Sequence, residues 1–317
     1  MIVALAGGVG GAKLAHGLAM ALPPGELTAI VNTADDFDLY GLRICPDLDT
    51  VLYTLAGLAN PVTGWGIAGD TQHALGAMAR LGRDTWFVLG DQDLATHILR
   101  TERLRAGATL TEVTAEFAAA LGVATRLLPM SNDPVATMVE TPDGPLEFQE
   151  YFVRRRQQDE VRGIVFQGIE QARPNPQALE AIAAAEVIVI CPSNPLVSVG
   201  PILALNGMRE ALRAATAPIV AVSPIIGGRA VKGPADRMLA SLGHESSAAG
   251  VAALYGDLLD GYVLDQVDAE QAERIEARGP RVLVTRTLMG DAADRRRLAE
   301  EVLAFGRSLS RKGAGVA

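Results

Sequence analysis

The chain of 317 residues is long for a single core and short for two large independent domains, so one main α/β body with a smaller inserted part is expected. Its formal net charge of −9 leaves no overall basic field. No nucleic-acid partner is therefore expected, although a local pocket for a small anion stays open. Aromatic residues are only 4 % of a chain that is 49 % hydrophobic, so the core has to be built from Ala, Leu, Val and Ile.

In chain order, residues 2–6 are a short apolar run of the kind that forms a buried parallel strand. The N-terminus lacks the basic n-region of a signal peptide. Glycines break the run at 7–11. Residues 12–22 have helical spacing, with Leu14, Leu18 and Leu22 on one face, and Pro23, Pro24 and Gly25 stop that helix. Residues 27–31 make a second strand that ends at Asn32. A strand, turn, helix and strand in this order open a doubly wound sheet. Residues 33–50 read as a polar loop, followed by a helix over 48–58. A helix over 71–81, a strand over 86–89 and helices over 94–105 and 110–121 come next. Residues 135–141 and 146–153, separated by PDG, predict a β-hairpin. Arg154, Arg155 and Arg156 begin a charged, exposed segment.

The alternation then resumes, with a helix over 179–185, a strand over 187–191, a helix over 202–214, a strand over 219–223 and a helix over 235–242. Segments 247–255, 262–265 and 282–285 continue it, and an amphipathic helix over 298–309 closes it. The last residues, RKGAGVA, read as a loose tail. No run reaches the roughly 18–20 apolar residues of a membrane span. The fold class is α/β: a Rossmann-like, doubly wound, mostly parallel sheet with a smaller inserted α+β part. Residues 1–100 and 160–310 are expected to form the nucleotide-binding core, and 100–160 an insertion carrying the hairpin.

Five segments carry candidate chemistry. In GGVGGAK, residues 7–13, the glycines Gly7, Gly8, Gly10 and Gly11 let a backbone turn sharply, and the amides at the following helix start can face an anion. Lys13 adds a positive charge. The string is not a Walker A loop, because Ala12 and Leu14 flank the lysine, and it is not the dinucleotide fingerprint. The competing explanation is a tight strand–helix turn without a ligand. The acidic loop NTADD and PDLDT places Asp35, Asp36, Asp47 and Asp49 after the second strand, where carboxylates can hold Mg²⁺ or act as a base. Asp47 as a helix cap is the competing explanation. CPSNPLVSVGPI supplies Ser193, Asn194 and Ser198 at a strand end, and VSPIIGGRAVKG supplies Gly227, Gly228, Arg229 and Lys232. Both loops have anion-compatible chemistry, or are plain turns with helix caps. LGDQDLATHILRT offers Asp91, Asp93, Thr96, His97 and Arg100, with His97 and Arg100 one turn apart. The two cysteines, Cys45 and Cys191, form no zinc or redox spacing, and a reducing cytoplasm is the expected location.

The ordered strings GGVGGAKL, NTADD, CPDLDTVLYTLAG, LGDQDLATHILRT, LPMSNDPVATMVET, PSNPLVSVGPIL and VSPIIGG resemble the 2-phospho-L-lactate transferase family, over nearly the whole chain. The resemblance implies a Rossmann-like homodimer of coenzyme F-420 biosynthesis. Such an enzyme moves a phospho-acid (lactate, enolpyruvate or a glycerate) from a guanosine-diphosphate-linked donor to the ribityl hydroxyl of the deazaflavin Fo. GMP is released and Mg²⁺ is required. On that basis Gly7, Gly8, Gly10, Gly11, Lys13, Ser193, Asn194, Ser198, Gly227 and Gly228 are expected to hold the donor. Asp35, Asp36, Asp47 and Asp49 would hold the metal. Asp36, Asp49, Thr96 and His97 would meet the deazaflavin, with Asp49 or Asp47 as base. Asp49→Ala is expected to abolish transfer and leave the fold intact. Val88 stands where the family often has a basic residue, a departure that removes one expected deazaflavin contact. The alternative is a nucleotide-sugar-binding regulator of the gluconeogenesis-factor type; PDLDTVLYTLAG and LGDQDLATHILRT favour the transferase.

Overall fold

The computed structural model describes residues 1–311. The expected loose tail therefore lies, apart from Arg311, outside the described residues. The first half of the chain forms β1 (Ile2–Ala6), α1 (Gly8–Ala21), β2 (Leu27–Val31), β3 (Phe37–Leu39), β4 (Leu42–Ile44), α2 (Pro46–Leu55), α3 (His73–Arg80), α4 (Asp91–Arg105), α5 (Leu110–Ala120), β5 (Arg126–Pro129), β6 (Ala136–Thr141) and β7 (Gly144–Glu147). The second half forms β8 (Gly163–Gln167), α6 (Pro176–Ala183), β9 (Val187–Ile190), α7 (Val199–Ala204), α8 (Met208–Ala214), β10 (Ile219–Val222), β11 (Ile225–Ile226), β12 (Arg229–Ala230), α9 (Ala235–Ser241), α10 (Ala248–Tyr255), β13 (Gly261–Asp265), α11 (Ala272–Glu276), β14 (Arg281–Thr285) and α12 (Ala292–Arg307).

Seven strands pair in the order β14-β13-β10-β9-β1-β2-β5, and every pairing is parallel. Strands such as IVALA and VIVI are apolar at every position because helices cover both faces of the sheet. Alternate residues divide between two core layers. Val3, Leu5, Ile188 and Ile190 face one layer; Ile2, Ala4, Val187 and Val189 face the other, with Leu14 and Leu18 of α1 and Leu298 and Val302 of α12. Gly17 permits the close approach of α1 to α12, since a Cβ there would overlap the Arg295 carbonyl. The central strand β1 has β2 on one side and β9 on the other. The chain leaves β1 toward one edge and later returns to build toward the other. The carboxyl ends of β1 and β9 therefore flank the crevice in which open α/β sheets bind ligands.

The structure departs from the sequence reading in five places. Helix α1 starts at Gly8, so three glycines lie in its first turns. The loop after β2 contains the β3–β4 hairpin, whose turn residues Tyr40 and Gly41 have φ of 55° and 76°. Residues 86–89 are not a strand; Trp86 and Phe87 pack with Phe37 in a satellite cluster. The helix expected over 202–214 is broken at Gly207, in the left-handed region at φ 88°. The β6–β7 hairpin forms, but it ends at Glu147 and a π-helical segment, Glu150–Arg154, replaces the end of its second strand.

The insertion boundaries also move. β5 lies within 100–160 yet is the edge strand of the main sheet, beside β2. The smaller part is the antiparallel sheet β7-β6-β8, which β8 completes past residue 160. β5, RLLP, has two apolar residues between an exposed Arg126 and Pro129, too few to read as a buried strand. Among the described residues no helix is long and apolar enough to cross a membrane.

Candidate active site

A cleft of about 450 Å³ opens where β1 and β9 end. Its floor is the glycine turn (Gly7, Gly8 and Gly10) and the loop after β9 (Ser193, Asn194 and Ser198); one side carries Asp35, Asp47 and Asp49, and Lys13 and Lys232 also line it. An apolar wall is formed by Trp65, Phe87, Phe148 and Phe152. A space of this size, mostly apolar and with few convergent polar groups, has the form of a small-molecule site.

The glycines are needed first by packing. A Cβ on Gly7 would lie 2.6 Å from Asp47 Oδ2 and 2.7 Å from Ser198 Cβ, and one on Gly10 would overlap the Pro192 carbonyl. The turn and the β9 loop are tied together: the Gly7 amide donates to Ser193 Oγ at 3.1 Å, and that hydroxyl donates to the Gly7 carbonyl at 2.8 Å. The Gly8 amide is not free for a ligand. It donates to Asp47 Oδ1 at 2.8 Å, which sets a carboxylate at the N-terminus of α1, where the helix dipole favours negative charge. The Asn32 side-chain amide holds the other oxygen of Asp47 at 3.0 Å. Burial pushes Asp47 up to about 6, and the Asn32 and Gly8 hydrogen bonds limit the rise. Beside it, Asp35 is pushed well above the usual carboxylate range, first by burial and then by the Asp47 charge. Asp35 Oδ1 is buried without a hydrogen-bond partner. Two crowded carboxylates with an unpartnered oxygen form a hard donor set that fits Mg²⁺, and a cation there would relieve their repulsion.

Asp49 belongs to a different environment. Arg100 donates to both of its oxygens, Nη1 to Oδ2 at 3.0 Å and Nη2 to Oδ1. The two residues are 5 % and 3 % exposed, so this is a buried ion pair. Burial acts to lower the pKa of the Arg100 guanidinium, and the Asp49 charge more than reverses it. Arg100 Nη1 also sits 3.3 Å from His97 Nδ1. A guanidinium can only donate, so Nδ1 accepts and the ring proton belongs on Nε2. Nε2 lies 3.3 Å from Asp93 Oδ1 without hydrogen-bond alignment, and the Tyr53 hydroxyl donates to the same oxygen at 2.8 Å. Asp49, Asp93 and His97 bring ligand atoms within 4.8 Å of one another, but Arg100 already supplies the positive charge at that place.

Asp36 is held apart from the cleft, 3.8 Å from Arg43. Both its oxygens are buried and lack a hydrogen-bond partner. Burial pushes it up to about 7, against the pull of Arg43. A carboxyl with a raised folded-state pKa supports folding fully below its unfolded value and loses that support as pH rises through the folded value. Here the loss runs from about pH 4 to about pH 7. Asp36→Asn should therefore raise stability by about 2–4 kcal/mol above pH 7 and change it little below pH 4. Urea denaturation across that range checks it; a variant less stable at high pH would overturn the reading.

The family described as 2-phospho-L-lactate transferase CofD matches residues 2–298. The chain belongs to the CofD family. It is a phosphotransferase of coenzyme F-420 biosynthesis. The chain is 49 % identical to a phosphoenolpyruvate transferase of Streptomyces griseus, over 95 % of this chain and 97 % of that protein. It is 41 % identical to a 2-phospho-L-lactate transferase of Methanosarcina mazei, over 95 % and 99 %. A crystal structure of a upf0052-family protein from Bacillus halodurans superposes with a TM-score of 0.65 at 20 % identity, covering 95 % of this chain and 98 % of that one. That likeness shows the shared α/β fold.

In this CofD-family chain the cleft gathers Gly7, Gly8, Gly10, Lys13, Asp35, Asp47, Asp49, His97, Ser193, Asn194 and Ser198. Lys13 donates to the Met289 carbonyl at 2.9 Å. Burial lowers its pKa, helped by the nearby charges of Arg295 and Lys232. Five expected residues lie elsewhere. Gly11 is behind the turn, where a Cβ would lie 2.5 Å from Ser193 Oγ. Asp36 pairs with Arg43. Thr96 is half-buried beside the Tyr53 hydroxyl. Gly227 and Gly228, at φ 57° and 76°, form the turn between β11 and β12, and the Gly227 amide donates to Asp268. Sequence reasoning missed Asn32, Tyr53, Trp65, Phe148, Gln149 and Phe152 as cleft-forming residues. Asn32 alone had a local signal, as the polar residue closing the second strand.

Proposed function

We propose that the chain moves an enolpyruvyl phosphate group from a guanosine-diphosphate-linked donor to the terminal ribityl hydroxyl of the deazaflavin Fo. The observation that carries this reading is the buried Asp35–Asp47 pair beside the glycine turn, in the same cleft as an aromatic wall. One cleft then serves a charged diphosphate and a flat apolar ring. Enolpyruvate is favoured over lactate because relatives at 46–49 % identity are named phosphoenolpyruvate transferases.

In the reaction the ribityl oxygen attacks the phosphorus that bears the acid, a new P–O bond forms, and the bond to the bridging oxygen breaks. GMP departs with the electron pair, and the hydroxyl proton passes to a base. Catalysis of this kind rests on positioning and charge neutralisation. Bound Mg²⁺, held by Asp35 and Asp47, would neutralise the diphosphate charge. Lys13 and Lys232 add positive charge to the same cleft. Asp49 has both oxygens committed to Arg100 and Asp47 has both committed to the Gly8 amide and Asn32, so the proton falls to Asp35, whose Oδ1 has no partner, and Asp49 with Arg100 fixes the wall that orients the acceptor. Trp65, Phe87, Phe148 and Phe152 cover the ring and exclude water. In this reading the protein works as a cytoplasmic homodimer.

The test is incubation with Fo, Mg²⁺ and the lactyl-, enolpyruvyl- and glyceryl-linked donors in parallel, with GMP and product followed by mass spectrometry. Enolpyruvyl transfer is the expected result. Preference for another donor would overturn the donor assignment, and no GMP with any donor would overturn the transfer itself.

A further inference from the structure

Gln149 sits between β7 and the π-helical segment, and its side chain lines the cleft although only 7 % of it is exposed. Among the described residues, the other amide side chain lining the cleft is engaged: Asn194 accepts from the Leu196 amide at 2.9 Å. The side-chain amide of Gln149 has no such bond, and its polar atoms face the cleft. Its polar atoms are not sealed from solvent, so they are free to meet a ligand, and a ligand that covered them without complementary groups would leave them unpaired. Two aromatic residues of the same segment line the cleft with Gln149. Phe148 and Phe152 stack with ring centroids 5.5 Å apart and planes 5° from parallel, and both line the cleft.

The π-helical segment accounts for this display. The Arg155 amide donates to the Glu150 carbonyl at 2.9 Å, an i→i+5 bond. The wider turn brings Phe148, Gln149, Phe152 and Val153 to one side, and such local widening recurs at functional sites. A carboxamide offers an acceptor and donors in one plane. Beside a stacked aromatic wall, that plane complements the edge of a heterocycle in which a ring C=O adjoins a ring N–H.

We propose that Gln149 is the specificity residue that reads this C=O/N–H edge on a substrate ring. The inference rests on the proposed function, in which two rings have such an edge: guanine on the donor and the pyrimidinedione of the deazaflavin. The amide bonds the edge and the Phe148–Phe152 wall supports the ring face. A ring without the edge leaves the buried amide unpaired and is rejected.

The experiment compares the unmodified protein with Gln149→Leu, which keeps the volume and removes both donor and acceptor, and with Gln149→Glu, which removes the donors. GDP binding is measured by calorimetry, Fo binding by fluorescence, and thermal unfolding alongside. Gln149→Leu is expected to weaken one ligand by about tenfold or more and to spare the other, with the melting temperature unchanged or raised. Loss of GDP affinity assigns the edge to guanine; loss of Fo affinity assigns it to the deazaflavin. Gln149→Glu should weaken the same ligand. If both ligands bind the variants as they bind the unmodified protein, or both weaken equally, the role assigned to Gln149 is overturned while the transfer reading stands. If the unmodified protein binds neither, the transfer reading fails and the Gln149 role with it.

Discussion

Arg100→Met is expected to destabilise the protein by about 3–5 kcal/mol and to slow transfer about 100-fold or more. The guanidinium is the bidentate partner of Asp49, and both residues are buried. Removing it strands a carboxylate that is only 5 % exposed, and the helix start that carries Asp49 then shifts. The same logic corrects the expectation that Asp49→Ala spares the fold: it would strand Arg100 instead. The informative comparison is the double variant Asp49→Leu with Arg100→Met. Replacing a buried pair by apolar groups of similar volume is often neutral, so the double variant should recover most of the stability and none of the activity. Denaturant unfolding and GMP release measure the two. A double variant that recovers turnover would remove Asp49 from the working site. Arg100→Lys should lie between, since one ammonium cannot span both carboxylate oxygens.

Asp35→Asn should act in opposite directions on stability and turnover. Burial and the Asp47 charge hold the Asp35 carboxyl well above its usual range, so the ionised form weakens the fold as pH rises, and a neutral amide removes that penalty. The variant is expected to be as stable as the unmodified protein at low pH and more stable at neutral pH and above. Transfer should nevertheless fall by about 100–1000-fold, and the Mg²⁺ concentration for half-maximal rate should rise, because one of the two carboxylates offered to the cation is lost. A Mg²⁺ titration of the initial rate decides it. Unchanged rate and unchanged Mg²⁺ dependence would mean that the pair does not hold the metal. A site that gains stability when its function is removed is expected wherever like charges are held together for use.

Much of the architecture was legible in the sequence. The five-residue apolar runs of β1 and β2 and the four-residue runs of β9 and β10 are long enough, and bounded by clear enough breakers, to specify buried parallel strands. GGVGGAK marked the sheet edge where the cleft lies, and the ordered strings around it carried the family. β5 escaped because its run RLLP opens on the exposed Arg126 and closes on Pro129, leaving two apolar residues between them, and residues 86–89 misled because an aromatic and aliphatic run packs as well in an irregular segment as in a strand.

The sequence alone determined the sheet, the family and the neighbourhood of the site; the tertiary structure alone decided how four nearby aspartates divide. Asp47 and Asp49 are two residues apart in α2, so their side chains leave the helix about 200° apart. One meets Asn32 and the Gly8 amide, and the other meets Arg100. These partners lie 15, 39 and 51 positions away in the chain. Asp35, in the turn at residues 34–35, points into the cleft, and Asp36, just past that turn, points toward Arg43. The role of each carboxylate is set by which distant group neutralises or desolvates it, and composition and spacing hold no record of that choice.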